Sequence, residues 1–112
     1  MLALVFLITD AKADAKDGLV SVLMNGNRLV YLMKELEKNE QGDEIEAAKY
    51  IGYVIGVYDS LSMAQQICVR GITTTQIVAV ATKFLKENPE RWNAAGEFLL
   101  RQALTQAFPC KK

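Results

Sequence analysis

The chain contains no histidine among its 112 residues. That absence removes the usual general base, the Ser–His and Cys–His nucleophile pairs, and the commonest metal ligand at once. An excess of one charge is missing as well, because 13 Lys and Arg balance 13 Asp and Glu. No net field is left to draw in nucleic acid or an anionic membrane, and the basic residues form no run beyond Lys111-Lys112. Proline occurs only twice, and neither a Pro-rich or Ser-rich tract nor an internal repeat is present. Gly-rich phosphate loops and Cys-x-x-Cys pairs are also lacking. No cofactor, no metal and no nucleic-acid partner are therefore expected. The chemistry that remains is that of surfaces.

The length suits one ordinary domain, and with 51% apolar residues the chain can build a core. Its start differs from the rest. Residues 2–8 form an unbroken apolar run, followed by Ala11-Lys12-Ala13 and Ala13-Asp14-Ala15, two overlapping A-x-A patterns. The run is too short to span a bilayer and has the character of a secretory signal's apolar region and cleavage site. No basic region precedes it, since Met1 leads directly into Leu2. The alternative is a buried N-terminal strand or helix, whose apolar face Asp10 and Lys12 would break. A signal over residues 1–15 leaves residues 16–112 as the exported domain, with no membrane association after cleavage.

Export gives meaning to the two cysteines, Cys68 and Cys110. An even number in a small exported chain favours a bridge, whereas a reducing compartment would leave two buried thiols. Closing the loop between positions 68 and 110 stabilises by ~4 kcal/mol in the chain-entropy model. A catalytic role for Cys68 is disfavoured, because no histidine exists to activate it.

Four helices can be read along the chain. The first covers residues 27–38, with Asn27 as N-cap and Leu29, Leu32, Met33 and Leu36 as its apolar stripe. Residues 17–24 could extend it, but Gly26 suggests a break. The second covers residues 43–61, capped by Asp43 with Glu46 three positions on, an acidic capping box. Ala48, Gly52 and Gly56 share one face of it at four-residue spacing, which predicts close approach of another helix within the domain. Ile51, Val54, Ile55 and Tyr58 are its expected core contacts. The third begins at Thr73, whose capping box closes on Gln76, and buries Ile77, Val80, Ala81, Phe84 and Leu85. Asn88-Pro89 ends it. The last covers residues 93–107 and buries Phe98, Leu99, Ala103 and Leu104, with Phe108 just beyond. No segment alternates with period two, so the expected fold is all-α, a small bundle of four to five helices with one disulfide.

Candidate sites for chemistry are weak. Asp43, Glu44 and Glu46 lack the ligand spacing of a calcium loop and read as an acidic helix start. Glu87, Glu90 and Glu97 resemble ordinary solvated charges. Trp92 beside Arg91 reads as an aromatic sealing the edge of the core, with a binding anchor as the alternative.

Several stretches carry a resemblance. From Gly71 the chain runs Gly-Ile-Thr-Thr-Thr-Gln-Ile-Val-Ala-Val-Ala-Thr-Lys-Phe-Leu-Lys-Glu-Asn-Pro-Glu-Arg. This resembles the second half of the Rap/Tai immunity-protein family. Gly52-Tyr-Val-Ile-Gly-Val-Tyr-Asp, Asn27-Arg-Leu-Val-Tyr-Leu and Ala103-Leu-Thr-Gln-Ala-Phe-Pro-Cys resemble the same family, in its order and at its spacing. The resemblance implies a periplasmic helical protein that neutralises a peptidoglycan amidase effector delivered by type VI secretion. Such proteins occlude the effector's active-site cleft, often as dimers. A second cysteine pair, usual in the family, would fall at about Met33 and Tyr50, and this chain lacks it.

Occlusion needs a projecting, preorganised segment. Residues 60–70 are the least regular stretch and the natural candidate, with Ser60, Ser62, Met63, Gln65, Gln66 and Arg70 as partner contacts and Cys68 at their base. The competing readings are an ordinary helix connection with Met63 turned inward, and an exported helical binding or stress protein of another target.

Overall fold

Three of the four helices start at a side chain that accepts from otherwise unpaired backbone N–H groups, and each buries one apolar face. The computed structural model describes residues 22–111. The expected signal at residues 1–15 lies outside the described residues. Helix α1 spans Gly26–Glu37, α2 Glu44–Met63, α3 Thr74–Glu87 and α4 Gly96–Ala107, with 3-10 turns at Asn39–Gln41 and Pro89–Arg91. The all-α expectation holds: no strand occurs among the described residues, and one isolated bridge pairs Asn25 with Ala95.

The cap of α1 is Asn25, not Asn27. Asn25 is extended and its side chain accepts from the Arg28 N–H at 2.9 Å, whereas Asn27 sits exposed in the first turn. Gly26 does not break the helix but opens it. Its N–H, which no helical carbonyl could reach, donates to the Ala94 carbonyl at 2.7 Å. The Gly96 N–H donates back to the Met24 carbonyl at 2.8 Å. This reciprocal pair explains how α4 starts without a side-chain cap at Ala95, three residues later than the sequence suggests.

The α1–α2 corner closes differently from the expected capping box. Asp43 accepts from the Ile45 and Glu46 N–H groups at 2.9 and 3.1 Å. The reciprocal bond comes from α1: Glu35 accepts from the Asp43 N–H at 2.9 Å and from Lys38 Nζ at 2.6 Å. These bonds, that from Lys38 first, hold the Glu35 carboxyl below its ordinary range. Glu46 is instead engaged by Lys49 at 2.9 Å and Arg28 at 3.7 Å. The acidic cluster thus serves the helix start and its neighbours.

The core is a single cluster contributed by all four helices. Leu29, Val30, Leu32 and Met33 of α1 meet Tyr50, Val54, Val57 and Leu61 of α2, Ile77, Ala81 and Leu85 of α3, and Leu99, Leu100 and Leu104 of α4. Full burial of each such Leu stabilises by about 2 kcal/mol before entropy is counted. The expected contacts Ile51, Ile55 and Tyr58 are only half-buried, as are Leu36, Val80 and Phe84. Phe98, expected inside, is 46% exposed and instead faces Arg91, whose guanidinium lies 5.8 Å from both the Phe84 and Phe98 rings. Arg91 also donates to Gln102, tying the Pro89–Arg91 turn to α4. Trp92 does seal the core edge, donating its Nε1–H to the Leu85 carbonyl at 2.7 Å with Lys34 above its ring.

Met33 and Tyr50, where the family's second cysteine pair would fall, are among the largest fully buried side chains. Both belong to the apolar core that α1 and α2 share. The Tyr50 hydroxyl reaches Thr82 at 2.8 Å, so its one polar atom is satisfied. Burial pushes its pKa up to about 12, against which the Thr82 hydrogen bond works.

The close approach expected at Ala48, Gly52 and Gly56 does not occur. A Cβ added at Gly52 or Gly56 would meet nothing within 4 Å, and all three residues are exposed. The reason is rotational: the buried face of α2 is set by Tyr50, Val54, Val57 and Leu61, which turns the small residues outward.

Candidate functional site: the bridged segment after α2

The segment at residues 60–70 is less irregular than its sequence suggests. Helix α2 continues to Met63, so Ser60, Ser62 and Met63 form its last turn. The Gln66 N–H then donates to the Leu61 carbonyl at 2.9 Å and the Gln65 N–H to the Ser62 carbonyl at 3.0 Å. These two bonds make a Schellman motif, which requires a left-handed residue, here Gln65 at φ 59°. A non-glycine residue in that conformation costs about 1 kcal/mol. The position normally favours glycine, yet a long polar side chain is held there.

Beyond the turn, Ile67 is the anchor. It is 4% exposed and belongs to the core cluster, while Gln65, Gln66 and Cys68 around it face outward. Two further ties fix the same spot to the end of α4. The Cys68 N–H donates to the Phe108 carbonyl at 3.0 Å, and Cys68 is disulfide-bonded to Cys110 with Cα atoms 4.8 Å apart. The expected bridge is therefore present, across a sequence separation of 42, and no free cysteine remains. Cys110 Sγ also lies 3.6 Å from the Gln65 carbonyl oxygen, directly under the left-handed residue. The base of the segment is covalently and conformationally fixed.

All six candidate contacts are exposed. Ser60, Ser62 and Met63 lie on the last turn of α2, Gln65 and Gln66 follow in the tight turn, and Arg70 stands past the bridge. Met63 is 86% exposed, so it does not turn inward. The sequence reading missed Ile67 as the anchor, although an isoleucine between two glutamines and a cysteine is a legible signal. It had no means to find the left-handed Gln65, because only glycine or asparagine would have announced that conformation.

The remaining surface offers little chemistry. No group of three or more His, Cys, Asp or Glu among the described residues could hold a metal ion. Open concavities are lined by α3 residues such as Val78, Thr82 and Lys86, and by the Lys38–Glu44 corner, none of them from residues 60–70. Glu97 is engaged by Arg101 at 2.5 Å along α4, an ion pair one helical turn apart. No helix among the described residues is long and apolar enough to cross a membrane.

Comparison with known proteins gives one finding that covers most of the chain. The model of the family described as Rap1a immunity proteins matches residues 25–110, from the cap of α1 to the second cysteine of the bridge. No curated protein and no solved structure matches. The matched span takes in all four described helices, the bridged segment and the Gly26–Ala94 hydrogen bond at one edge; the chain belongs to the Rap1a immunity protein family.

Proposed function

We propose that this protein acts in the periplasm as the antidote to a peptidoglycan amidase delivered by type VI secretion, and that it acts by binding rather than by turnover. The bridged segment supplies the contact. Membership in an immunity family supports a cognate effector as partner. The observation that carries the assignment to this segment is its preorganisation: an exposed Met63, Gln65 held left-handed, and Ile67 with the Cys68–Cys110 bridge fixing the base. A segment ordered before binding loses little conformational entropy on docking, which suits a plug for a cleft. Met63 brings an adaptable apolar tip, and Ser60, Ser62, Gln65, Gln66 and Arg70 bring hydrogen-bonding groups around it. The bridge also implies an oxidising compartment, as the periplasm is.

The test mixes the purified protein with the amidase encoded beside its gene and follows peptidoglycan cleavage and complex formation. Stoichiometric inhibition is expected, and a Met63→Asp, Gln65→Ala double variant should lose it while keeping its helical spectrum. Failure to bind any neighbouring cell-wall hydrolase would overturn the effector reading.

A further inference from the structure

Most cations of this chain are matched within it. Among the described residues, Arg28, Lys38, Lys49, Lys86 and Arg101 each stand in an ion pair. Lys34 and Arg91 lie over aromatic rings, and Lys83 shares the edge of a groove with Glu87. Arg70 and Lys111 have none of these. Both are exposed, and residues 60–82 and 98–112 contain no Asp or Glu at all. Asp59, the acid closest to Arg70 in sequence, forms no ion pair among the described residues.

The fold brings these two cations to one place. Arg70 stands two residues beyond Cys68 and Lys111 one beyond Cys110, and the bridge holds those cysteines with Cα atoms 4.8 Å apart. The backbone at Arg70 is pinned on both sides. Ile67 is buried before it and Ile72 packs against the core after it, while Gly71 turns the chain between them at φ 69°. A Cβ on Gly71 would meet nothing, so that glycine serves the turn and not a close contact. The same base carries Gln65, whose carbonyl oxygen lies 3.6 Å from Cys110 Sγ. Two like charges are thus fixed beside the bridge, and no opposite charge in the described chain answers them.

We infer that Arg70 and Lys111 are a steering pair whose complement is an acidic rim, of Asp and Glu side chains, around the cleft of the effector. The inference rests on the proposed amidase reading and adds to it the charge of the partner, with Lys111 as a contact outside residues 60–70. Two cations suit the rim of a protein interface, where they guide encounter around the apolar Met63 contact. They are too few for an anionic membrane, whose recognition takes a cluster of about four to eight.

The experiment measures association and dissociation rates with the amidase encoded beside the gene, at about 20 and about 500 mM NaCl, where charges are felt over long range and only at close range respectively. Association should slow about tenfold between the two. At low salt, Lys111→Glu should slow it about threefold and Arg70→Glu at least as much, and both differences should vanish at high salt. Arg70→Lys should keep the wild-type rate, and Asp59→Asn should raise it about twofold. All three positions are exposed, so the helical spectrum should not change. Tight binding with a salt-independent rate, or charge reversals that match the wild type at low salt, would overturn the steering pair and leave the amidase reading standing. No binding at either salt would remove both. Retention on phosphatidylglycerol vesicles that Arg70→Glu abolishes, with an amidase rate indifferent to salt, would overturn the pair by giving its charge to a membrane.

Discussion

At the ends of α1 the chain folds back on itself, and along the outside of α2 no described residue comes near Gly52 or Gly56. A Cβ on Gly42 would run into the Glu35 carbonyl, and one on Gly26 into the Trp92 carbonyl. On Gly52 and Gly56 it would enter open space. The first pair is glycine because the fold leaves no room for anything else. The second pair has room and still lacks side chains, in the interior of a helix where each glycine costs about 1 kcal/mol relative to alanine. Small residues thus record close approach in one region and, among the described residues, nothing in the other. Burial of the neighbours, not the spacing, tells the two apart.

The bridge belongs with the closed regions, and its loss should have the largest effect. Replacing Cys68 and Cys110 together by serine should cost ~4 kcal/mol in urea or thermal unfolding. The same variant should lose effector inhibition, because Gln65 and Cys68 would no longer be held at the end of α4. If stability falls and binding survives, the bridge is a staple and the segment is ordered by Ile67 alone.

Next comes the corner of α1 and α2. Gly42→Ala should destabilise by about 3 kcal/mol, since the obstacle is backbone and cannot turn aside. Urea unfolding at constant m-value would check it, and a neutral result would erase the contrast with α2. The opposite sign is expected outside. Gly52→Ala should stabilise the protein by about 1 kcal/mol in urea unfolding. Destabilisation there would mean that the face is packed after all.

The inner side of α2 sharpens the same contrast more gently. Tyr50→Phe should cost about 1 kcal/mol through the lost Thr82 hydrogen bond. It should also change the alkaline limb. A tyrosine in the unfolded chain ionises from its ordinary pKa of 10, while Tyr50 keeps its proton to about 12 in the folded state. The folded state then binds more protons, so the Tyr50 contribution to stability is complete below pH 10 and is lost as pH rises toward 12. The phenylalanine variant should show a shallower loss across that interval, read from stability against pH.

Much of the fold was legible from local chemistry. Asp43 and Thr73 announced two helix starts, Asn88-Pro89 announced a stop, and Leu29, Leu32, Ile77, Leu99 and Leu104 announced the core. The misreadings lie where a neighbour distant in sequence intervenes. Asn25 caps α1 because Gly26 can hand its N–H to Ala94, and Glu35 replaces Glu46 because α1 ends beside Asp43. Phe98 stays half-exposed because Arg91 lies against its ring. The candidate segment reads in the sequence as irregular chain, whereas it is the end of a helix followed by a left-handed turn.

The sequence by itself determined the class of this protein: the absence of histidine, the balanced charge, the helical periodicities and the single cysteine pair are properties of composition and short-range order. The tertiary structure decided which way each helix was turned. Rotation about a helix axis is set by the sum of its burials, and Tyr50, Val54, Val57 and Leu61 together outweigh any preference of Gly52 and Gly56. That rotation put two glycines, an isoleucine and a methionine on the outside, away from the other described elements.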